Sequence, residues 1–332
     1  MLAHRVPGIS ISLIADGITG WIGYGVLEAG HPASVNAETL FQAASISKLV
    51  TVAALLRLVD DGRLCLDDPI NDHLRRWQIP ESADVRRRLT VRDIASHHGG
   101  LSVSYFEGYA PGQPLPTVFD ILEGRPPANN PPVRQEAPLG TYRYSSGGIT
   151  ILQVLLSEFL GGQFEEVIEE LVLRPLGMTG STFVQPLPAD LTNNAAKGHD
   201  EAGAPVPGGW RIYPATAAGG LWSTPLDLAR FVIAIQESYA EAPNSFLRPE
   251  TVREMLRPHM GSKLGLGFHL DDNARFFSHA GINYGYRAHL VASVEGSQAA
   301  VIMTNGARGN LLIDEILEGD CLSLSLGRPH LN

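Results

Sequence analysis

Ser45 and Lys48 stand three residues apart in the run Ser45-Ile46-Ser47-Lys48. On a helix, positions i and i+3 share a face, so this spacing sets the lysine one turn below the hydroxyl. A serine at a helix N-terminus meets free N–H groups and the positive end of the helix dipole. An amine held in a low-dielectric site gives up its proton more readily and can serve as base toward that hydroxyl. The chemistry of such a pair is nucleophilic attack on a carbonyl. The same spacing also fits an ordinary N-cap serine followed by a solvated lysine. The residues that follow weigh against that reading, because Leu49, Val50, Val52, Ala53, Leu55, Leu56 and Val59 surround most of the helix. An element apolar on so many sides belongs in a core.

Two further clusters carry candidate chemistry. Tyr144-Ser145-Ser146 precedes Gly147-Gly148 and a helical pattern. A loop tyrosine near a serine nucleophile can relay a proton to a leaving group, or it can simply be half-buried. His279-Ala280-Gly281 comes just before the last apolar strands. Its glycine would let a strand edge approach a ligand closely, and its histidine could equally be an ordinary strand residue.

Other polar groupings read as structural. His97-His98 and His199-Asp200-Glu201 lack a third partner at metal-ligand spacing. His98-Gly99-Gly100 could be part of a lipase oxyanion loop, but there is no G-x-S-x-G, which excludes an α/β-hydrolase. Gly23-x-Gly25 has Glu28 where a dinucleotide loop needs its third glycine, and no helix follows. His259, His269, His279 and His289 fall ten apart, but their flanks differ and the spacing reads as chance.

The elements that must position these residues follow from periodicity. Ile9 to Leu13 alternates with period two, Asp16-Gly17 offers a hairpin turn, and Trp21 to Val26 can return. Residues 45–61 form the buried helix. Residues 62–200 read as mostly helical with long loops, with helices over Thr90–Ser96, Thr150–Phe159 and Phe164–Leu173. Prolines at 111, 114, 116, 126, 127, 131, 132 and 138 mark a long loop. Tyr105, Phe106 and Tyr109 are apolar anchors for it and candidates for an acyl pocket. Strands return at Arg287–Val294 and Gln298–Thr304, with Glu295-Gly296-Ser297 as the turn between them. A last helix places Leu311, Leu312, Ile316 and Leu317 on one face.

At 332 residues the chain is long enough for two domains or one composite domain. With 44% apolar and 18% charged residues it can bury a sizeable core. The net charge of −10 repels phosphate and argues against a nucleic-acid partner. The short basic run Arg86-Arg87-Arg88 reads as a solvated helix end. Two cysteines, Cys65 and Cys321, make no disulfide framework and fit a reducing compartment. No apolar signal segment opens the chain and no apolar stretch approaches a membrane span, so a soluble, cytoplasmic protein is expected.

The order Ser45-x-x-Lys48, Tyr144-x-Ser146, His279-Ala280-Gly281 resembles the serine β-lactamase and penicillin-binding-protein superfamily, and most of all its class C branch. The likeness runs along nearly the whole chain. Val6 to Ser10 resembles the first strand, and Leu89–Ile94 with Ser96 to Leu101 a helix and turn. Pro138-Leu139-Gly140 with Tyr142 to Ser146 is similar to the tyrosine loop. Pro175 to Met178, Gly219 to Thr224 and Met303-Thr304-Asn305 match later landmarks. The family's S-x-x-K, Y-x-N and K-T-G are altered here: Ser146 replaces Asn, and His279-Ala280 replaces Lys-Thr. The leader and opening helix usual in the family are not seen.

This resemblance implies an α/β (α+β) fold of β-lactamase/transpeptidase type. An antiparallel sheet from residues 1–59 plus 200–332 would be flanked by helices, with a helical subdomain, 60–199, inserted and the site between them. It implies a serine hydrolase acting through an acyl-enzyme on a small-molecule ester, amide or lactam, with no cofactor and no metal. Ser45 would be the nucleophile, and Lys48 and Tyr144 would share the proton work in an undecided order. Ser146, His279, Gly281 and Ile282 would contact substrate, and the N–H groups of Ser45 and Ile282 would form the oxyanion hole. A carboxylesterase is the leading expectation. A β-lactamase or D-amino-acid-specific peptidase or amidase, and a non-catalytic penicillin-binding-like sensor, are the alternatives. The oligomeric state is open.

Overall fold

The structure is a computed structural model, and it describes residues 1–80, 87–296 and 298–319. Arg86, Ser297 and Cys321 lie outside the described residues.

Strand β1 (Gly8–Ala15) turns at Asp16-Gly17 and returns as β2 (Ile18–Gly25). Both turn residues have positive φ, 50° and 78°, as a tight two-residue hairpin requires. That turn pairs Ala15 with Ile18, so β2 begins three residues before the expected Trp21. After β3 (Phe41–Gln42) comes a single 3₁₀ turn, Ala44–Ile46, and then α1 (Ser47–Asp60). All of α1 but Arg57 and Val59 is buried, in keeping with its apolar circumference.

Among the described residues, four α-helices follow before residue 199. They are α2 (Val91–Ala95), α3 (Val118–Glu123), α4 (Ser146–Leu160) and α5 (Phe164–Ile168), the last continuing as a π turn, Glu169–Leu173. Most of this span is irregular backbone rather than helix, because its prolines cannot donate helical hydrogen bonds. Yet α3 lies inside the proline-rich stretch, started by a capping box between Thr117 and Asp120. Tyr109 is buried and its hydroxyl accepts from Asn129 N–H at 2.9 Å, which anchors that stretch. Tyr105 is exposed at 47%, with its side chain beside Tyr213 instead.

The chain then forms α6 (Thr216–Gly219), β4 (Trp222–Ser223), α7 (Pro225–Tyr239) and α8 (Pro249–Met255). It closes with β5 (His269–Leu270), β6 (Phe276–Asn283), β7 (Tyr286–Ser293), β8 (Gln298–Thr304) and α9 (Gly309–Glu318). Among the described residues, six strands form one antiparallel sheet in the order β2-β1-β8-β7-β6-β5, and β3 pairs with β4 separately. Both ends of the chain thus build one sheet, as the patterning implied. The main core joins one face of that sheet to α1, α4 and α7 without a break.

The other face is covered by α9 through Leu312, Ile313 and Leu317. Leu311 was expected on that face but is 42% exposed. At 100° per residue, positions 312, 313, 316 and 317 share an arc that 311 does not. Arg87 and Arg88 precede α2 and pair with Asp93 and Asp72. No helix among the described residues is long and apolar enough to cross a membrane.

Candidate active site

Ser45 sits in the 3₁₀ turn, not in the α-helix proper, and the helix starts two residues later. The preceding Ala44 has φ 52°, a left-handed conformation that L-residues adopt only where the surroundings hold it. Here Ser47 Oγ donates to Ala44 O at 2.5 Å and accepts from Leu221 N at 3.0 Å, while Ala43 N donates to Leu221 O at 2.9 Å. From the other side β6 presses in at Gly281. A Cβ there would lie 2.4 Å from Ala43 O, so only glycine allows this approach. Ser45 is left half-buried at the junction.

Lys48 is 1% exposed, and its Nζ lies 2.9 Å from Ser45 Oγ. Nζ also donates to Ala218 O at 2.6 Å. Burial without a carboxylate partner pushes its pKa down to about 7. The acceptor comes from α6, a segment whose role periodicity did not reveal. Thr51 donates to Ala217 O, Asn283 to Gly219 O and Gln185 to Gly220 O, so each carbonyl from 217 to 220 meets a side chain. Gln153 of α4 holds the same segment by accepting from Ala217 N at 3.1 Å and donating to Pro214 O at 3.2 Å.

Tyr144 reaches the same point from the loop before α4. Its hydroxyl interacts with the Ser45 side chain, and its ring centroid is 5.1 Å from Lys48 Nζ. Burial raises its pKa, so it holds its proton at neutral pH. Ser145 caps α4 by accepting from Gly148 N at 2.8 Å. The Tyr144 ring stands between two histidines, 4.5 Å from His97 and 6.1 Å from His279.

His279 is buried and its Nδ1 donates to Ala280 O at 2.7 Å. Burial holds its pKa well below the ordinary histidine value, with His269 and Lys48 adding like-charge repulsion. His269 lies 5.4 Å away, centroid to centroid. Two of the four histidines at ten-residue spacing therefore meet, because β5 pairs with β6 in the register His269–Ser278.

Ser45, Lys48, Tyr144, His279 and Gly281 thus converge. Ser146 lies two residues from Tyr144, but its hydroxyl donates to Ser104 O at 2.8 Å and is turned to main chain. Ile282 is 50% exposed and alternates outward from the buried Gly281. His97 and the carbonyls of α6 were not singled out for the site from sequence. Ser96 to Leu101 stood out as a turn and not as part of the site, and the bond from Ser145 N to His97 Nδ1 joins residues 48 positions apart. Among the described residues, no group of three or more His, Cys, Asp and Glu is placed to hold a metal ion.

The sequence model of the family described as beta-lactamase matches residues 1–316. The chain belongs to the β-lactamase family. Protein Rv1367c of Mycobacterium tuberculosis is 32% identical over 271 residues, covering 70% of this chain and 62% of that protein. Penicillin-binding protein 4 of Amycolatopsis lactamdurans is 27% identical over 239 residues, covering 69% and 59%. The chain therefore spans about three fifths of the length of these curated relatives. The solved octameric penicillin-binding protein homologue from Pyrococcus abyssi superposes with a TM-score of 0.74 at 24% identity, covering 93% of this chain and 71% of that one. At that identity the likeness establishes the β-lactamase family fold, with its mixed helices and antiparallel sheet.

Proposed function

We propose that this β-lactamase family chain is a serine hydrolase that forms an acyl-enzyme and acts best on neutral carboxylic esters. The observation that carries the proposal is the convergence of Ser45 Oγ, the buried Lys48 amine 2.9 Å away and the Tyr144 hydroxyl on one point. A lysine with a pKa of about 7 has a free lone pair near neutral pH, and a tyrosine with a raised pKa has a proton to give. Lys48 accepts the Ser45 proton as Oγ attacks the carbonyl carbon. The proton passes by way of Tyr144 to the departing alkoxide, and the ester C–O bond breaks. Water then attacks the acyl-serine, the same groups move the proton back, and the acid is released. Ala218 O fixes the lysine throughout, and the N–H groups of Ser45 and Ile282 are assigned to the oxyanion.

The preference for esters follows from the third motif. A β-lactam or a peptide C-terminus brings a carboxylate beside the scissile bond, and a cation at that place would grip it with a charge-assisted bond. His279 is buried and neutral, and its Nδ1–H is used by Ala280 O. Ala280 has no hydroxyl, and Ser146 has its proton on Ser104 O. A short neutral ester needs none of these contacts.

A fluorophosphonate probe with intact-mass readout, followed by kcat/KM for p-nitrophenyl butyrate and nitrocefin on one preparation, tests the proposal. Labelling at Ser45 with the ester favoured is the expected result. A nitrocefin value equal to or above the ester value would replace the esterase reading with a lactamase one, a reading that the names of the relatives favour. No labelling and no turnover would leave a non-catalytic binding protein.

A further inference from the structure

We infer that His97 is a positioning residue that clamps the Tyr144 loop and sets the phenol against Ser45. The inference rests on the reading of Tyr144 as proton carrier. His97 has φ 59°, so the chain doubles back there, and its carbonyl and its ring face the same neighbour. Its carbonyl accepts from Arg143 N at 2.8 Å. Its Nδ1 accepts from Ser145 N at 3.2 Å. Its ring packs against the ring of Tyr144 between them, at 4.5 Å and 36°. One residue therefore holds the backbone on both sides of the tyrosine and the tyrosine's own face.

The clamp requires a neutral imidazole with its proton on Nε2, since a protonated Nδ1 would set donor against donor at Ser145 N–H. The site keeps the ring neutral, because His97 is 4% exposed and burial lowers its pKa to about 3, with Lys48, His269 and His98 adding repulsion; the Ser145 N–H sets the tautomer, and the buried Nε2 has no hydrogen-bond partner among the described residues. The two loops are also joined by Ser145 Oγ donating to Ser102 O at 2.6 Å and Ser146 Oγ to Ser104 O at 2.8 Å, and by main-chain bonds from Gly140 N to His98 O at 2.8 Å and Glu136 N to Gly100 O at 2.9 Å. They guide the path of the loop. The His97 side chain is what meets the tyrosine.

The variants follow from the backbone. His97→Gly keeps the left-handed conformation and the carbonyl bond but removes acceptor and ring. His97→Asn tolerates that conformation and places an amide oxygen near the position of Nδ1. Turnover is measured per fluorophosphonate-labelled site on two esters. Ethyl butyrate has a leaving group that must be protonated, and p-nitrophenyl butyrate does not.

His97→Gly is expected to lose roughly 10²-fold in kcat on ethyl butyrate, as a misplaced proton carrier does, and only a few-fold on p-nitrophenyl butyrate, with KM little changed. His97→Asn is expected to recover most of the ethyl ester rate. Equal losses on both esters, or an Asn variant no better than Gly, would overturn the clamp. Should His97→Gly not fold, His97→Gln takes its place, because its amide lies beyond the reach of Ser145 N–H.

If the wild type neither labels nor turns over, the hydrolase reading fails by itself. The clamp is then judged from a crystal structure of the substituted protein. Displacement of the Tyr144 ring from Ser45 supports it, and an unmoved ring overturns it.

Discussion

At the scale of single residues, burial gives Lys48 both its reactivity and its cost. With the pKa at about 7, the amine is increasingly free above neutrality, so kcat/KM for an ester should rise with pH along a limb centred near 7. A pH–rate profile from pH 5.5 to 8.5 checks this, and a flat profile would mean that Lys48 is not the base. The same burial links to stability. Between about pH 7 and 10 the unfolded chain binds a proton at this lysine that the folded chain does not, so this group's contribution to stability rises across that window. Below pH 7 the full cost is present, on the order of 5 kcal/mol. Part of it returns through the bonds to Ala218 O and Ser45 Oγ. Lys48→Met should therefore melt at or above the wild-type temperature at pH 6.5 while losing at least about 10²-fold in turnover. A marked fall in the melting temperature would show that the lysine supports the fold. Ser45→Ala should lose all fluorophosphonate labelling yet fold normally, since its side chain caps no helix, and undiminished labelling would remove Ser45 from the mechanism.

At the scale of elements, the site depends on how closely strand β6 lies against the turn before α1. Gly281→Ala would place a methyl 2.4 Å from Ala43 O and 3.2 Å from Ala288 Cβ. Neither the strand nor the turn can yield without moving Ser45 or His279. Overpacking of this kind costs about 1–3 kcal/mol, and the expected result is a lowered denaturation midpoint together with a loss of kcat. Denaturant titration and ester turnover on the same variant check it. Full stability with full activity would mean that the contact does not position the nucleophile.

At the scale of the whole molecule, the six-stranded sheet and the helices α1, α4, α5 and α7 share one hydrophobic cluster. It runs from Ile14 on β1 through Leu55 on α1 and Leu152 on α4 to Val301 on β8. Because α1 is buried among these elements, none of them can lose its packing alone. Thermal unfolding should accordingly be one cooperative transition, with circular dichroism and tryptophan fluorescence coinciding. Two separated transitions would show that residues 60–199 fold as an independent unit.

Features that depend on near neighbours were legible in the chain. The period of Ile9 to Leu13, the Asp16-Gly17 turn, the apolar circumference of α1 and the Ser45–Lys48 spacing all involve residues a few positions apart, and each has its element in the structure. The ordered motifs carried the family as well. Even locally, competing effects moved boundaries. Ser45 lies in a 3₁₀ turn because Ala44 is held at φ 52°, and α3 stands among prolines because Thr117 and Asp120 cap it. Only tertiary structure decided which distant groups meet. Ala218 O reaches Lys48 across 170 residues, Ser145 N reaches His97 across 48, and the β5–β6 register brings His269 beside His279. Such contacts leave no period in the chain. The pKa of Lys48 was likewise undecided, because it depends on how completely the folded core excludes water, a property of the surrounding elements together and of no single segment.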